Sequence, residues 1–328
     1  MLSKEAQQVI QMLRKGKEAS EITRKDSING KVDPLLIEIQ GIYAERKMVD
    51  ENARKVPLKD KLTLIPNNAD GVSGEWLQYL NTDPEKQKDK VILFLHGGGF
   101  NTGSALARRF MTGNIVCNAK VDAFSIDYRR CPEYKFPAHL EDCVTTFLWL
   151  LKKGYSPKNI IIIGESAGAN LALCISLYLK DHYFPTPGGV CVFSPFVDFD
   201  GRYDSRITRT NRDPMLGSFF PESEIDNILQ IYRSTEPIPC LYCSVEEMKS
   251  PYVSPILGDF TDFPKLSIHV GSEELLYDDA IVLEKKAIAA GVQVTLHEWE
   301  GMFHCFPIFD TPEGDEACME IGKFVRSI

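Results

Sequence analysis

Six short, predominantly apolar segments recur along this chain: Val91 to Leu95, Val121 to Ile126, Ile160 to Ile163, Val190 to Phe193, Leu266 to Val270 and Val292 to Leu296. Runs of this length suit strands buried on both faces of a parallel sheet. Between them lie helical patterns at Leu140 to Leu151, Ala169 to Leu179 and Asp279 to Ala290. Strand and helix in alternation predict an α/β class chain, a mostly parallel sheet with helices on both faces. Upstream, Leu62, Leu64 and Ile65 suggest a strand and Trp76 to Leu80 another, which brings the expected sheet to eight strands. Asn81 to Lys90, polar and containing Pro84, reads as a surface turn.

Two stretches stand outside the alternation. In the first fifty or so residues, Ala6, Val9, Ile10 and Leu13 make one apolar helical face, and Leu35, Leu36, Ile39, Ile42 and Tyr43 keep a helical rhythm after Pro34. Phe199 to Tyr252 holds no convincing strand; it carries Asp213-Pro214, a helical stretch around Ile225 to Tyr232, and Pro237 and Pro239. It reads as an insertion between two strands. With 328 residues, 44% apolar and 25% charged, the chain can bury a sizeable core.

Gly164-Glu165-Ser166-Ala167-Gly168 is a G-x-S-x-G pentapeptide placed between a strand and a helix. The chain must reverse sharply there, which strains the backbone at Ser166 and exposes its hydroxyl at the top of the sheet. Small neighbours let the turn close. The Ala167 amide, at the start of the helix, then faces the place where an oxyanion would form. His96-Gly97-Gly98-Gly99-Phe100 follows directly on the strand Val91 to Leu95. Consecutive glycines let backbone N–H groups approach a ligand with no Cβ in the way. Gly98 and Gly99 are the expected oxyanion donors beside Ala167, with Gly97 able to share the task. One such donor is worth about 3 kcal/mol. His96 is expected to hold the loop rather than to act as a base.

With these motifs in place, the chain resembles the hormone-sensitive-lipase branch of the α/β-hydrolases, a family of carboxylesterases and lipases. The likeness runs from about Leu62 to the C-terminus. It includes H-G-G-G-F at His96, D-Y-R-x-x-P-E at Asp127 to Glu133, F-P-A at Phe136 to Ala138, G-E-S-A-G, S-P at Ser194, Gly271 to Asp279 and Gly301 to Phe306. The resemblance implies an α/β-hydrolase fold with a helical cap. Residues 1–55 would form the N-terminal part of that cap. Residues 56–328 would form the catalytic domain, with a cap insertion at about 199–252. A cap closes the pocket and excludes water.

In this fold the triad runs serine, acid, histidine along the chain. Of six histidines, only His297 and His304 follow both the elbow and a plausible acid. His304 lies just beyond the last strand, in the G-M-F-H where the family carries its base; His297 lies within the strand. The acid is sought in Gly271 to Asp279. The position that matches the family's acid holds Glu274, where many members carry aspartate, and Glu273, Asp278 and Asp279 compete with it. Phe100, Phe196, Phe303 and Phe306 are candidates to line an acyl or alcohol pocket, or are plain core. Asp127 or Glu133 is expected to pair with Arg129 or Arg130.

The expected activity is that of a serine carboxylesterase acting on short- to medium-chain esters through an acyl-enzyme. An amidase or deacetylase would use the same groups, and some members of this branch bind a small ligand with a broken triad. Neither metal nor organic cofactor is called for. A net charge of −9 and a pI near 5.3 repel phosphate backbones, so nucleic-acid binding is not expected. No apolar run reaches membrane-spanning length, and no signal-peptide core is visible, so a cytoplasmic protein is expected. The resemblance leaves a homodimer open. Nine cysteines are scattered along the chain. Cys240 and Cys243 form a lone C-x-x-C, too few ligands for zinc, and buried free thiols in a reducing compartment are the plainer reading.

Overall fold

Asp70 and Gly71, both with positive φ (52° and 107°), turn β1 (Leu62–Ala69) back onto β2 (Val72–Tyr79). Asp-Gly suits this two-residue hairpin because both central positions are left-handed. The computed structural model describes residues 2–27, 34–80, 89–218 and 220–328. Most of the polar turn expected at Asn81 to Lys90 therefore lies outside the described residues. The hairpin forms the antiparallel edge of an eight-stranded sheet in the order β1-β2-β4-β3-β5-β6-β7-β8. The parallel strands are β3 (Val91–Leu95), β4 (Ala123–Ile126), β5 (Ile160–Glu165), β6 (Gly189–Phe193), β7 (Lys265–Gly271) and β8 (Val294–Trp299). Each overlaps one of the expected apolar segments; β4 begins two residues later than expected, and β8 begins two and ends three residues later.

The reason those segments are so rich in apolar residues is visible in β5. Ile160 and Ile162 enter one core while Ile161 and Ile163 enter another on the opposite face. On the second face lies α3 (Arg109–Ala119), through Met111, Ile115 and Val116. The first face is covered by α4 (Ala138–Lys152), α5 (Ala167–Asp181) and α8 (Tyr277–Ala289). The second is completed by α9 (Pro312–Ser327), whose N-terminus is capped by the Thr311 hydroxyl accepting from the Gly314 amide at 3.1 Å.

The N-terminal residues fold as α1 (Lys4–Ser27) and α2 (Pro34–Ala53). The expected face of α1, with Ala6, Val9, Ile10 and Leu13, packs on the second core. Its start is fixed by the Ser3 amide and hydroxyl, each 2.7 Å from the Glu313 carboxylate. Further along, the Lys17 ammonium donates to the Gly217 carbonyl. From α2, Arg46 donates to the Asn101 carbonyl at 2.6 Å and to Glu133 at 2.7 Å, and Asp50 accepts from Ser104 at 2.6 Å. The segment between β6 and β7 carries α6 (Ser205–Thr208) and α7 (Ile225–Ser234), with no strand among its described residues. Arg206 ties it to Asp279 of α8 at 2.7 Å. No helix among the described residues is long and apolar enough to cross a membrane.

Parallel register decides where chemistry can gather. Leu95 lies opposite Gly164, Glu165 opposite Phe193, Phe193 opposite His269 and Gly271 opposite Trp299. The carboxyl ends of β3, β5, β6, β7 and β8 thus lie along one edge, where open α/β sheets place their sites.

Candidate active site

Ser166 sits between β5 and α5 with φ 54° and ψ −118°, a conformation side chains rarely adopt. Its flanking glycines are needed for space: a Cβ on Gly168 would collide with the Leu95 carbonyl oxygen, and one on Gly164 with the Gly168 carbonyl. Held this way, the Ser166 hydroxyl meets His304 Nε2 at 2.9 Å. His304 Nδ1 lies 3.1 Å from Glu274 Oε2. The second oxygen of Glu274 accepts from the Ser194 hydroxyl at 2.7 Å and the Gly271 amide at 2.6 Å. Ser194 also accepts from the Cys305 amide at 3.0 Å, so one serine joins the acid loop to the histidine loop.

The competing carboxylates are engaged elsewhere. Asp278 accepts from the Ser205 amide at 2.9 Å, Asp279 pairs with Arg206, and Glu273 faces Arg212 at 3.8 Å. His297 stacks on His269 at 4.3 Å between centroids, within the sheet. His96 stacks on Tyr128 at 4.2 Å with Nδ1 2.8 Å from the Gly97 carbonyl oxygen; burial drives its pKa to about 3, so it is a neutral loop support.

Burial alone would lower the pKa of His304, but the hydrogen bond and charge of Glu274 outweigh it and hold the imidazole above the ordinary histidine value. Burial raises the Glu274 carboxyl, a rise that His304 partly offsets. A buried acid-base pair of this kind, in contact with an exposed-edge hydroxyl, is suited to moving one proton.

Gly98 and Gly99 of the glycine loop line the same cavity as Ser166 and His304. Among the described residues, the N–H groups of Gly98, Gly99 and Ala167 find no protein acceptor. Gly97 differs: its amide donates to Glu165 Oε1 at 2.5 Å and is not free to share the task. Glu165 also accepts from Arg108 Nε at 2.5 Å and, on Oε2, from the Cys305 thiol at 2.8 Å. This buried carboxylate therefore joins elbow, glycine loop and histidine loop. Burial pushes the Cys305 thiol well up, so it remains a donor rather than a thiolate. Glu165 was within the elbow motif yet carried no signal of this role; nothing in the sequence points to Arg108. Arg108 is only 11% exposed. Glu165→Gln strands its charge, and the expected loss is about 3 kcal/mol of stability, read as a lower urea midpoint. An unchanged midpoint would mean Arg108 is neutralised by another group.

A cavity of about 1090 Å³ opens from Ser166 and His304. Leu13 of α1, Val49 of α2, Leu216 of the segment between β6 and β7, and Ile308 and Phe309 beyond the histidine line it. Phe100, Phe196 and Phe303 do not line this cavity. Phe100 is buried against Tyr242 at 3.9 Å, Phe303 is core beside Phe306, and Phe196 lies between Phe199 and the Arg206 guanidinium. The expected ion pairs of the D-Y-R segment are also different. Arg129 bonds Asp142 and Glu141, Glu133 takes Arg46, and Asp127 accepts the Ala105 amide at 2.8 Å. Arg129 finds its partners 12 and 13 residues on, in α4, and Glu133 finds its own 87 residues away, in α2, which local spacing does not reveal.

A family model described as an alpha/beta hydrolase fold matches residues 92–308. An acetyl-hydrolase of Streptomyces hygroscopicus is 34% identical over 258 residues, covering 78% of this chain and 80% of that protein. An esterase of Acinetobacter venetianus is 29% identical over 287 residues, covering 87% and 89%. The crystal structure of an esterase from the bacterial hormone-sensitive lipase family superposes with a TM-score of 0.78 at 29% identity, over 100% of this chain and 99% of that one.

Proposed function

The chain belongs to the hormone-sensitive-lipase-like branch of the α/β-hydrolase family and is a serine carboxylesterase, and we propose that Ser166, His304 and Glu274 carry its reaction. The observation that supports this most is the unbroken relay from Ser166 Oγ through His304 to Glu274, at 2.9 and 3.1 Å. Ser166 attacks the ester carbonyl as its proton passes to His304 Nε2. The amides of Gly98, Gly99 and Ala167 hold the oxygen that gains charge. His304 then protonates the departing alkoxide, leaving an acyl-enzyme on Ser166. Water, deprotonated by the same nitrogen, releases the acid and restores the hydroxyl. Glu274 keeps the Nδ1 proton in place and stabilises the imidazolium at each stage. That all nine cysteines are free fits a reducing compartment, and the cytoplasm is the proposed place of work.

Helices α1 and α2 and the insertion at 199–252 act in this reading as the cap. The lining of the cavity by Leu13, Val49 and Leu216 supports it. The space suits short to medium acyl chains. The test is a p-nitrophenyl ester ladder from acetate to decanoate, run on the native chain and on Val49→Trp. The native chain is expected to turn over the shorter esters. In the variant, kcat/KM for the longest accepted ester is expected to fall about tenfold, with acetate nearly unchanged. A native chain that hydrolyses no ester would move the reading to amide or acetyl-amine substrates. An unchanged ladder in Val49→Trp would remove α2 from the acyl site.

A further inference from the structure

Cys240 and Cys243, the chain's C-x-x-C, lie outside the relay and hold their sulfurs 3.8 Å apart. The loop that carries them is closed on itself, with the Cys240 amide donating to the Cys243 carbonyl at 3.1 Å. The two thiols differ in access. Cys240 is exposed and Cys243 is buried. Of the remaining cysteines, Cys117 is partly exposed and the other six are buried. An oxidant arriving from solvent therefore meets Cys240 first, and the nearest thiol by chain geometry stands behind it.

Tyr242 lies between the two cysteines and connects them to the glycine loop. Its ring stacks on Phe100 at 3.9 Å between centroids, with the planes 20° apart. Phe100 directly follows Gly98 and Gly99, and its own φ is 64°. The Tyr242 carbonyl accepts from the Phe136 amide at 2.9 Å, and the Phe100 carbonyl from the Cys131 amide at 2.9 Å. The Tyr242 hydroxyl is buried without a partner among the described residues. The ring is thus held by stacking and backbone rather than by its own polar end, so a shift of the 240–243 backbone would be passed to Phe100.

We propose that Cys240 and Cys243 are a redox-reactive dithiol, oxidised by peroxides to an intrachain disulfide that displaces Tyr242 and, through Phe100, the oxyanion loop. The Cys240 thiolate attacks one peroxide oxygen. The O–O bond breaks, water leaves after protonation, and Cys240 becomes a sulfenic acid. Cys243 then attacks that sulfur, and the S–O bond breaks with loss of a second water. Two thiols have lost two electrons and one hydrogen peroxide has gained them. A dithiol reductant reverses the change by exchange. The hydrogen bond from Cys243 holds the Cys240 thiol down to about 6, which supplies thiolate at neutral pH. Bond formation draws sulfurs now 3.8 Å apart to about 2 Å, which the 240–243 backbone must accommodate.

The experiment treats the full chain with hydrogen peroxide, alkylates it, and digests it with trypsin without reductant. The peptide from 234 to 249 is expected to be unalkylated and lighter by two hydrogens, and to regain both labels after dithiothreitol. Ester turnover is expected to fall about threefold on oxidation and to recover on reduction. Cys243→Ser is expected to stop at a sulfenic acid on Cys240 that dimedone captures. Cys240→Ser is expected to keep its turnover under peroxide. A peptide still labelled at both cysteines, a bond from Cys240 to Cys131 or to a second copy, or oxidation of Cys240 straight to sulfinic acid overturns the proposal. So does a disulfide that leaves turnover equal to that of peroxide-treated Cys240→Ser. The activity arm rests on the ester-hydrolase reading; the thiol mass does not, so the two failures are distinguishable.

Discussion

Ser166→Ala lowers kcat for a p-nitrophenyl ester by about a million-fold and leaves the thermal midpoint close to that of the native chain. The loss is large because no second nucleophile is in reach. His304 Nε2 points at the Ser166 oxygen at 2.9 Å and at no other hydroxyl among the described residues. Cys305, the neighbouring thiol, donates to Glu165 at 2.8 Å and its pKa is pushed well up by burial. What remains is water attack assisted by the amides of Gly98, Gly99 and Ala167, which in a comparable site still gives roughly 10³- to 10⁴-fold over the uncatalysed rate. The fold should tolerate the change. The Ser166 side chain makes no capping bond to α5, and alanine meets the same backbone strain at φ 54° that serine does. Rates under initial-velocity conditions and a melt by circular dichroism suffice. Turnover near the native rate would remove Ser166 from the chemistry and with it the proposed relay.

How far the sequence could be read follows from which signals are local. The five inner parallel strands were legible because each is buried on both faces, and β5 shows why: its isoleucines alternate between two cores; the edge strand β8, half-exposed, was legible from Val292, Val294 and Leu296 alone. The elbow and the glycine loop were legible because tight turns demand residues without a Cβ at fixed offsets. Helices α3 and α9 were passed over. In α3, Gly113 interrupts the helical pattern, where a Cβ would come within 2.8 Å of the Leu62 side-chain methyl. For α9 a signal existed, Thr311 followed by Pro312, an N-cap and a first-turn proline. The partners of Arg46 and Arg129 and the bond from Arg108 to Glu165 were not legible at all. Arg46–Glu133 and Arg108–Glu165 join residues 87 and 57 positions apart, and Arg129 reaches 12 and 13 residues on into α4; only the folded chain brings these partners together. The same holds for Phe100 and Phe303, whose aromatic character says nothing about which side of a loop they face.

The choice of Glu274 over Asp278 carries a second large expected effect. Glu274→Gln lowers kcat by about 10⁴-fold, while Asp278→Asn stays near the native rate. Oxygen Oε1 of Glu274 accepts from the Gly271 amide and the Ser194 hydroxyl. The backbone amide cannot turn, so the single carbonyl oxygen of glutamine must stay with it. The glutamine NH₂ then faces His304 Nδ1, which has to accept. That forces the proton onto Nε2, the nitrogen that must take the proton from Ser166. Asp278, bonded to the Ser205 amide, has no contact with His304. The pH dependence follows with a definite sign. The base must be neutral to act, and Glu274 holds the His304 pKa above the ordinary 6.5 against the opposing effect of burial. Native kcat/KM is therefore full at high pH and falls as pH drops through a midpoint above 6.5. In Glu274→Gln that support is gone and burial dominates, so the His304 titration followed by NMR moves to lower pH. A native acid limb that Glu274→Gln leaves in place, or a rate loss in Asp278→Asn that matches it, would transfer the acid's role from Glu274 to its neighbour.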